Sequence, residues 1–154
     1  MFQINKYYVT DMTLEHLDAV YTIETRSFAI PWSKNELRKE IDENHKVYKV
    51  AITPSGVVMG YGGFWHIVNE CQITNIAVDA PYQSMGVGSL LLEALIAAAL
   101  ERQSIGLTLE VRINNTAAIK LYEKYGFKPE GIRKGYYANN KEDAIIMWKY
   151  FRGQ

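Results

Sequence analysis

Hydrophobic and polar positions change their period several times along this chain, and each change predicts an element. The runs "KVYKVAIT", "VVMGYGGFWHIV" and "CQITNIAV" are rich in β-branched and aromatic residues and are separated only by "PSG" and "NE". Short turns between such runs predict a meander of three antiparallel strands. In "LTLEVRI" the alternation is strict: Leu107, Leu109, Val111 and Ile113 share one face, Thr108, Glu110 and Arg112 the other. Elsewhere the spacing is helical. Leu14, Leu17, Val20, Tyr21 and Glu24 fall near one face of a helix capped by Asp11 or Thr13 and running through about Ser27. "AIPW" breaks it, and Ser33 followed by Glu36 forms a capping box that starts a second short helix at Lys34. A long apolar helix follows the meander to about Gln103, with Gly106 closing that unit. Ala118, Leu121, Tyr122 and Tyr125 mark a further helix, capped by Asn115 or Asn114 and ended by Gly126. "FQINKYYVT" at the start and "FKPEGIRKGYY" and "DAIIMWKYF" at the end read as strands. The resulting order, β-α-α-β-β-β-α-β-α-β-β, predicts an α/β fold: a mixed, mostly antiparallel sheet of about seven strands with about four helices.

Composition narrows the function. A length of 154 residues with no repeat or linker predicts one domain over 1–154. Lys+Arg and Asp+Glu are both 17, so the chain lacks the basic footprint of a nucleic-acid binder. Cys71 is the single cysteine, which excludes an internal disulfide and predicts a packed, structural thiol. His16, His45 and His66 are dispersed without ligand spacing, so no metal site is expected. The N-terminal stretch has no signal-type apolar core, and the run Leu90–Leu100 is far shorter than the ~20 residues of a membrane span. A soluble, cytoplasmic protein is expected.

The candidate chemistry begins at "YQSMGVGSLLLEALI", where two glycines stand directly before the apolar helix. A helix N-terminus offers unpaired N–H groups and about half a positive charge. Gly86 and Gly88 remove the side chains that would keep an anion away, so the loop reads as a pyrophosphate cradle at the carboxyl end of a strand. A tight strand-to-helix turn explains the same glycines. A dinucleotide fingerprint would need glycine at 91, which is Leu, and a P-loop would need a lysine after Gly88, where Ser89 stands.

What remains, Gln-x-x-Gly-x-Gly from Gln83 to Gly88, resembles the coenzyme A loop of the GCN5-related N-acetyltransferases. "NIAVDAPYQ", "LEVRINNTAAIKLYEKYGF", "PWS", "GIRKGYY" and "EDAIIM" extend the likeness over nearly the whole chain. They resemble the branch that acetylates the N-terminal alanine of a small-subunit ribosomal protein. The resemblance implies the fold of that family, acetyl-CoA as co-substrate without a metal, and a ribosomal-protein N-terminus as partner. It implies neither direct nucleic-acid contact nor a membrane, and it leaves a monomer open. Its cofactor positions fall on Ile76, Ala77 and Val78, which would offer backbone, on Gln83, Ser84, Met85, Gly86, Val87, Gly88 and Ser89, and on Asn115. Relatives often carry arginines where Ser84 and Met85 stand, so phosphate contact here leans on backbone N–H groups.

Acetylating an α-amine poses two proton problems. The amine, with a pKa of about 8, is mostly protonated at neutral pH, and the departing thiolate needs a proton. Glu110, a carboxylate in mid-strand, reads either as a base at an opening of the sheet or as a solvated edge residue paired with Arg112. The resemblance implies the proton acceptor. Tyr122 reads as a core tyrosine by its spacing, and the resemblance implies the proton donor. Asn115 reads as a helix cap that can also serve the cofactor. Trp32, Tyr136 and Tyr137 wall a substrate groove or anchor loops. Two alternatives stay open: acetylation of another amine, on a small molecule or a lysine, and a non-catalytic CoA-binding regulatory module.

Overall fold

The computed structural model describes residues 7–41 and 43–151. The early part of the expected first strand, residues 2–6, lies outside them. Strands β1 (Tyr8–Asp11), β2 (Lys46–Ile52), β3 (Val58–Ile67), β4 (Glu70–Val78), β5 (Gly106–Arg112), β6 (Lys128–Arg133) and β7 (Ala144–Tyr150) form one sheet. Its order is β1-β2-β3-β4-β5-β7-β6. Among the described residues only the β4–β5 pair is parallel; the other pairs are antiparallel. Helices α1 (Leu17–Ser27), α2 (Lys34–Lys39), α3 (Val87–Glu101) and α4 (Thr116–Lys124) cover the sheet. The expected sequence of elements is borne out.

Local chemistry sets most boundaries. Ser33 Oγ accepts the Glu36 N–H at 3.1 Å and Glu36 Oε1 accepts the Ser33 N–H at 2.8 Å, the reciprocal box that starts α2. Thr13 caps a 3₁₀ turn, Leu14–His16, that leads into α1. Asn115, not Asn114, caps α4, its Oδ1 accepting the Ala118 N–H at 3.2 Å. Gly106 does not close the α3 unit. Gln103, at φ +58°, makes the turn after the helix. Gly106 opens β5, where a Cβ would lie 2.4 Å from the Lys149 carbonyl oxygen, so close strand approach explains that glycine.

Helix α3 buries Leu91, Leu92 and Leu95 completely. Each such side chain stabilises the fold by about 1.5–3 kcal/mol. One irregularity then re-aims β4. Gly63 pairs with Asn75 and Phe64 with Ile73, leaving Thr74 as an extra residue in the ladder. Before this bulge Cys71 and Ile73 pack with Leu92 and Leu95 of α3. After it Ala77 packs with Leu17, Val20 and Ile23 of α1. Period-two alternation alone would have kept all three on one face.

Candidate active site

Strand β4 pairs with β5 only at Glu70↔Gly106, Cys71↔Leu107 and Gln72↔Thr108. Beyond Gln72 the two strands part. Main-chain groups of residues 73–78 that would face β5 therefore have no strand partner there, although β4 stays paired to β3 as far as Val78. An opening in mid-sheet is what a carboxylate in the middle of β5 requires.

At the top of this opening lies a cleft of about 340 Å³ lined by Ile76, Ala77, Val78, Gln83 and Asn115, with Arg26, Ser27 and Phe28 opposite. Gln83 Nε2 donates to the Val78 carbonyl at 3.1 Å, folding the loop back on the strand end. Ser84 and Gly86 are both left-handed, at φ +64° and +84°. Gly86 is the N-cap of α3 with no side-chain cap, and Leu90 N–H to Gly86 O, at 3.0 Å, is the first bond of the helix. The N–H groups of Val87, Gly88 and Ser89 thus precede the ladder and have no intrahelical acceptor. The turn accounts for Gly86. Packing does not demand glycine at 88, where a Cβ would touch Leu121 Cδ2 at an ordinary 3.4 Å. Met85 and Ser84 are exposed and Val87 is buried, so what this loop offers an anion is main chain.

Lower in the opening, Leu107, Leu109 and Val111 are buried, and Glu110 lies on the opposite, half-buried face as its alternation requires. Its partner is not the Arg112 of the solvated-edge alternative. Arg133 Nε of β6 donates to Glu110 Oε2 at 3.1 Å, whereas Arg112 pairs with Glu142. Nor is β5 an edge, since it sits between β4 and β7. Tyr122 is 8% exposed and packs its ring against Phe127 at 5.6 Å. Burial pushes its phenol up, and the nearby Tyr137 adds to the shift. Tyr137 is itself pushed up to about 12, chiefly by burial, with Arg112 opposing and Tyr136 and Glu110 reinforcing. Tyr137 therefore shares an electrostatic neighbourhood with both Tyr122 and Glu110. It meets Tyr136 edge-on at 5.1 Å. Tyr125, the sequence rival of Tyr122, turns outward to donate to Glu93 Oε2 at 2.5 Å. Trp32 stacks on Trp65 at 6.5 Å among the α1 and α2 side chains, so its aromatic partner is neither tyrosine.

A family profile described as "Acetyltransferase (GNAT) family" matches residues 17–127. The chain belongs to the GNAT acetyltransferase family. Among its GNAT relatives, a Bacillus subtilis (strain 168) protein is 41% identical over 140 residues, covering 91% of this chain and 93% of that one. Its name, a ribosomal protein bS18-alanine N-acetyltransferase, is provisional. The Escherichia coli (strain K12) ribosomal protein bS18-alanine N-acetyltransferase is 38% identical over 141 residues, covering 90% and 94%. The crystal structure of an Escherichia coli enzyme of that description superposes with a TM-score of 0.85 at 35% identity, covering 94% of each chain. Like these GNAT proteins, the chain is an N-acetyltransferase.

Sequence reasoning missed a buried polar knot in this GNAT domain. Glu24 of α1 is 1% exposed. Its Oε2 accepts the Trp32 N–H at 2.8 Å, and its Oε1 accepts Asn75 Nδ2 at 3.0 Å and the Tyr61 hydroxyl. Burial, the leading cause, raises its carboxyl above the ordinary range. The bulge at Thr74 is what turns Asn75 toward α1, and Asn75 Oδ1 has no partner among the described residues. The available signal was a carboxylate on the apolar stripe of α1. A second cavity, about 510 Å³ and lined by Glu40, Lys46, Tyr48 and Arg102, contains none of the candidate residues. Among the described residues no group of His, Cys, Asp and Glu could hold a metal, and no helix is long and apolar enough to cross a membrane.

Proposed function

We propose that this GNAT domain transfers acetyl from acetyl-CoA to the N-terminal alanine of a ribosomal protein, with Glu110 as base and Tyr122 as acid. The observation that carries this is the parting of β4 from β5, which leaves a free strand edge between an exposed helix N-terminus and the Glu110–Tyr137–Tyr122 neighbourhood. Relatives named for that activity at 38–41% identity over most of the chain support the same reading.

The residues present fit a CoA thioester. Val87, Gly88 and Ser89 offer N–H groups to a diphosphate, and the main chain of Ile76–Val78 can pair with an extended amide arm as an added strand. Asn115 lines the same cleft with its Oδ1 already spent on capping. Acetyl-CoA supplies an acyl group activated as a thioester. Glu110 Oε2 is held by Arg133, and the carboxylate takes a proton from the acceptor ammonium, directly or through one water. A main-chain N–H on the free edge of β4 would be available to the thioester carbonyl oxygen. The Tyr122 phenol, kept protonated by burial, would deliver its proton to the departing sulfur, and the second proton that the nitrogen loses on becoming an amide would restore the phenol. The acceptor amine would take the acetyl group directly, with no side chain carrying it in between. Cys71 is fully buried with its thiol pushed up by that burial, which leaves no nucleophile for an acyl-enzyme there.

Incubation with acetyl-CoA and a peptide beginning with alanine tests the acceptor. An N-terminal gain of ~42 Da, the mass of an acetyl substitution, is expected. Acetylation of an N-blocked lysine peptide or a polyamine, with none on the alanine peptide, would overturn it.

A further inference from the structure

The loop from residue 134 to 143, between β6 and β7, carries Tyr136 and Tyr137 but is thinly held by its own backbone. It has the Tyr137 N–H to Glu142 O bond at 3.2 Å and the Lys141 N–H to Tyr137 O bond at 2.8 Å, with Lys141 left-handed at φ +60°. The Ile113 N–H donates to the Asp143 carbonyl at 3.0 Å, and side chains do the rest. Arg112 stands two residues beyond Glu110 on the same face of β5. Its Nη1 donates to Glu142 Oε1 at 3.1 Å and Asn140 Oδ1 at 3.2 Å, and its Nη2 donates to Asn139 Oδ1 at 3.0 Å. The guanidinium carbon lies 3.9 Å from the centre of the Tyr137 ring. The other oxygen of Glu142 accepts the Asn114 N–H at 3.0 Å, one residue before Asn115.

One guanidinium and one carboxylate thus join the strand of Glu110, the loop of Tyr136 and Tyr137, and the turn of Asn115. We propose that Arg112 and Glu142 are positioning residues that hold Tyr137 in place and thereby set the acceptor end of the site. This rests on the acetyltransferase reading above. The planar fork is what the geometry uses: it reaches three oxygens while its face covers a ring, which an ammonium at the same position cannot do. An ion pair serving stability alone would not need every one of these contacts to end on the same short loop. The Asn114 N–H, the leading influence, and Arg112 lower the Glu142 carboxyl below its ordinary range, which keeps the clamp charged.

The test is steady-state kinetics of Arg112→Lys, Glu142→Gln and the double variant, with an alanine-initiated peptide and acetyl-CoA. Loss of the fork is expected to raise the peptide KM about tenfold while the acetyl-CoA KM moves less than about twofold. The double variant should be little worse than either single one, because both act through one clamp. Trypsin should cut faster after Lys134 and Lys141 in all three, with melting curves confirming folded protein. An unchanged peptide KM in folded, active variants overturns the proposal, as does an equal rise in both KM values. Wild-type protein that leaves the alanine peptide untouched overturns the assigned reaction, a result separable from either of those.

Discussion

The two ends of the opening between β4 and β5 are built from different material. At the helix end the groups on offer are main chain: three N–H groups ahead of the α3 ladder and the strand edge of Ile76–Val78. Ser84 and Met85 bring no charge to it. At the other end nearly everything is side chain, with Glu110 on Arg133, Arg112 on Glu142, and Tyr137 under Arg112. Backbone recognition depends on a conformation and tolerates changes in residue type. Side-chain recognition depends on identity, and on the proposed reading this is the end that meets the acceptor. If the proposed roles hold, the helix end should yield to changes in backbone geometry, and the Glu110 end to changes in chemistry.

The sharpest way to break that contrast lies between the two ends. Glu110→Gln and Tyr122→Phe should each lower kcat by about 10²-fold or more, the usual scale for a general acid or base. Near-wild-type turnover in both would remove the roles assigned to them. Glu24→Gln probes the knot beneath the acceptor side. It should destabilise the fold at acid pH by about 1–3 kcal/mol, because the hydroxyl oxygen of the protonated carboxyl can still accept a hydrogen bond and the amide nitrogen that replaces it cannot, which leaves a buried donor unpaired. The Glu24 carboxyl is raised from 4.5, so its stabilising contribution is whole below that value and is lost as pH rises through the folded pKa. Denaturant melts should find the deficit of the variant shrinking as pH rises; a constant gap would show that Glu24 does not titrate with folding.

Gly86→Ala tests the backbone end alone. Nothing lies within 4 Å of the added Cβ, so the effect is that of forcing φ +84° on an L-residue. A loss of about 1–2 kcal/mol is expected, with a higher KM for acetyl-CoA and an unchanged KM for the peptide. Met85→Arg should give the smallest effect. An exposed charge added beside a helix N-terminus is expected to lower the acetyl-CoA KM by about threefold or less. A larger gain would mean that the main chain alone is a poor cradle.

Much of this was legible in the chain itself. The capping box at Ser33 and Glu36, the alternation that turns Glu110 away from the core, and the helical spacing that buries Tyr122 are local facts, set by backbone periods of two and 3.6 residues. Asn115 as cap and the glycines before α3 are local in the same way. Partners distant in sequence were not legible. Arg112 is the near neighbour of Glu110 along β5, yet Arg133 takes the carboxylate because β7 and β6 lie beyond β5 in the sheet. Trp32 and the two tyrosines looked equivalent as aromatic residues in loops, and only packing separates a ring stacked on Trp65 from rings beside Arg112 and Glu110.

By itself, then, the amino-acid order determined which elements form, which face of each is apolar, and where a helix begins with bare N–H groups. The tertiary structure decided where β4 leaves β5, how a single extra residue at Thr74 swings Asn75 onto Glu24, and which arginine meets which carboxylate. The reason is range. Periodicity and capping act over a few residues, whereas a sheet's splay, its bulges and its ion pairs arise from contacts between segments tens of residues apart, and no local pattern encodes their register.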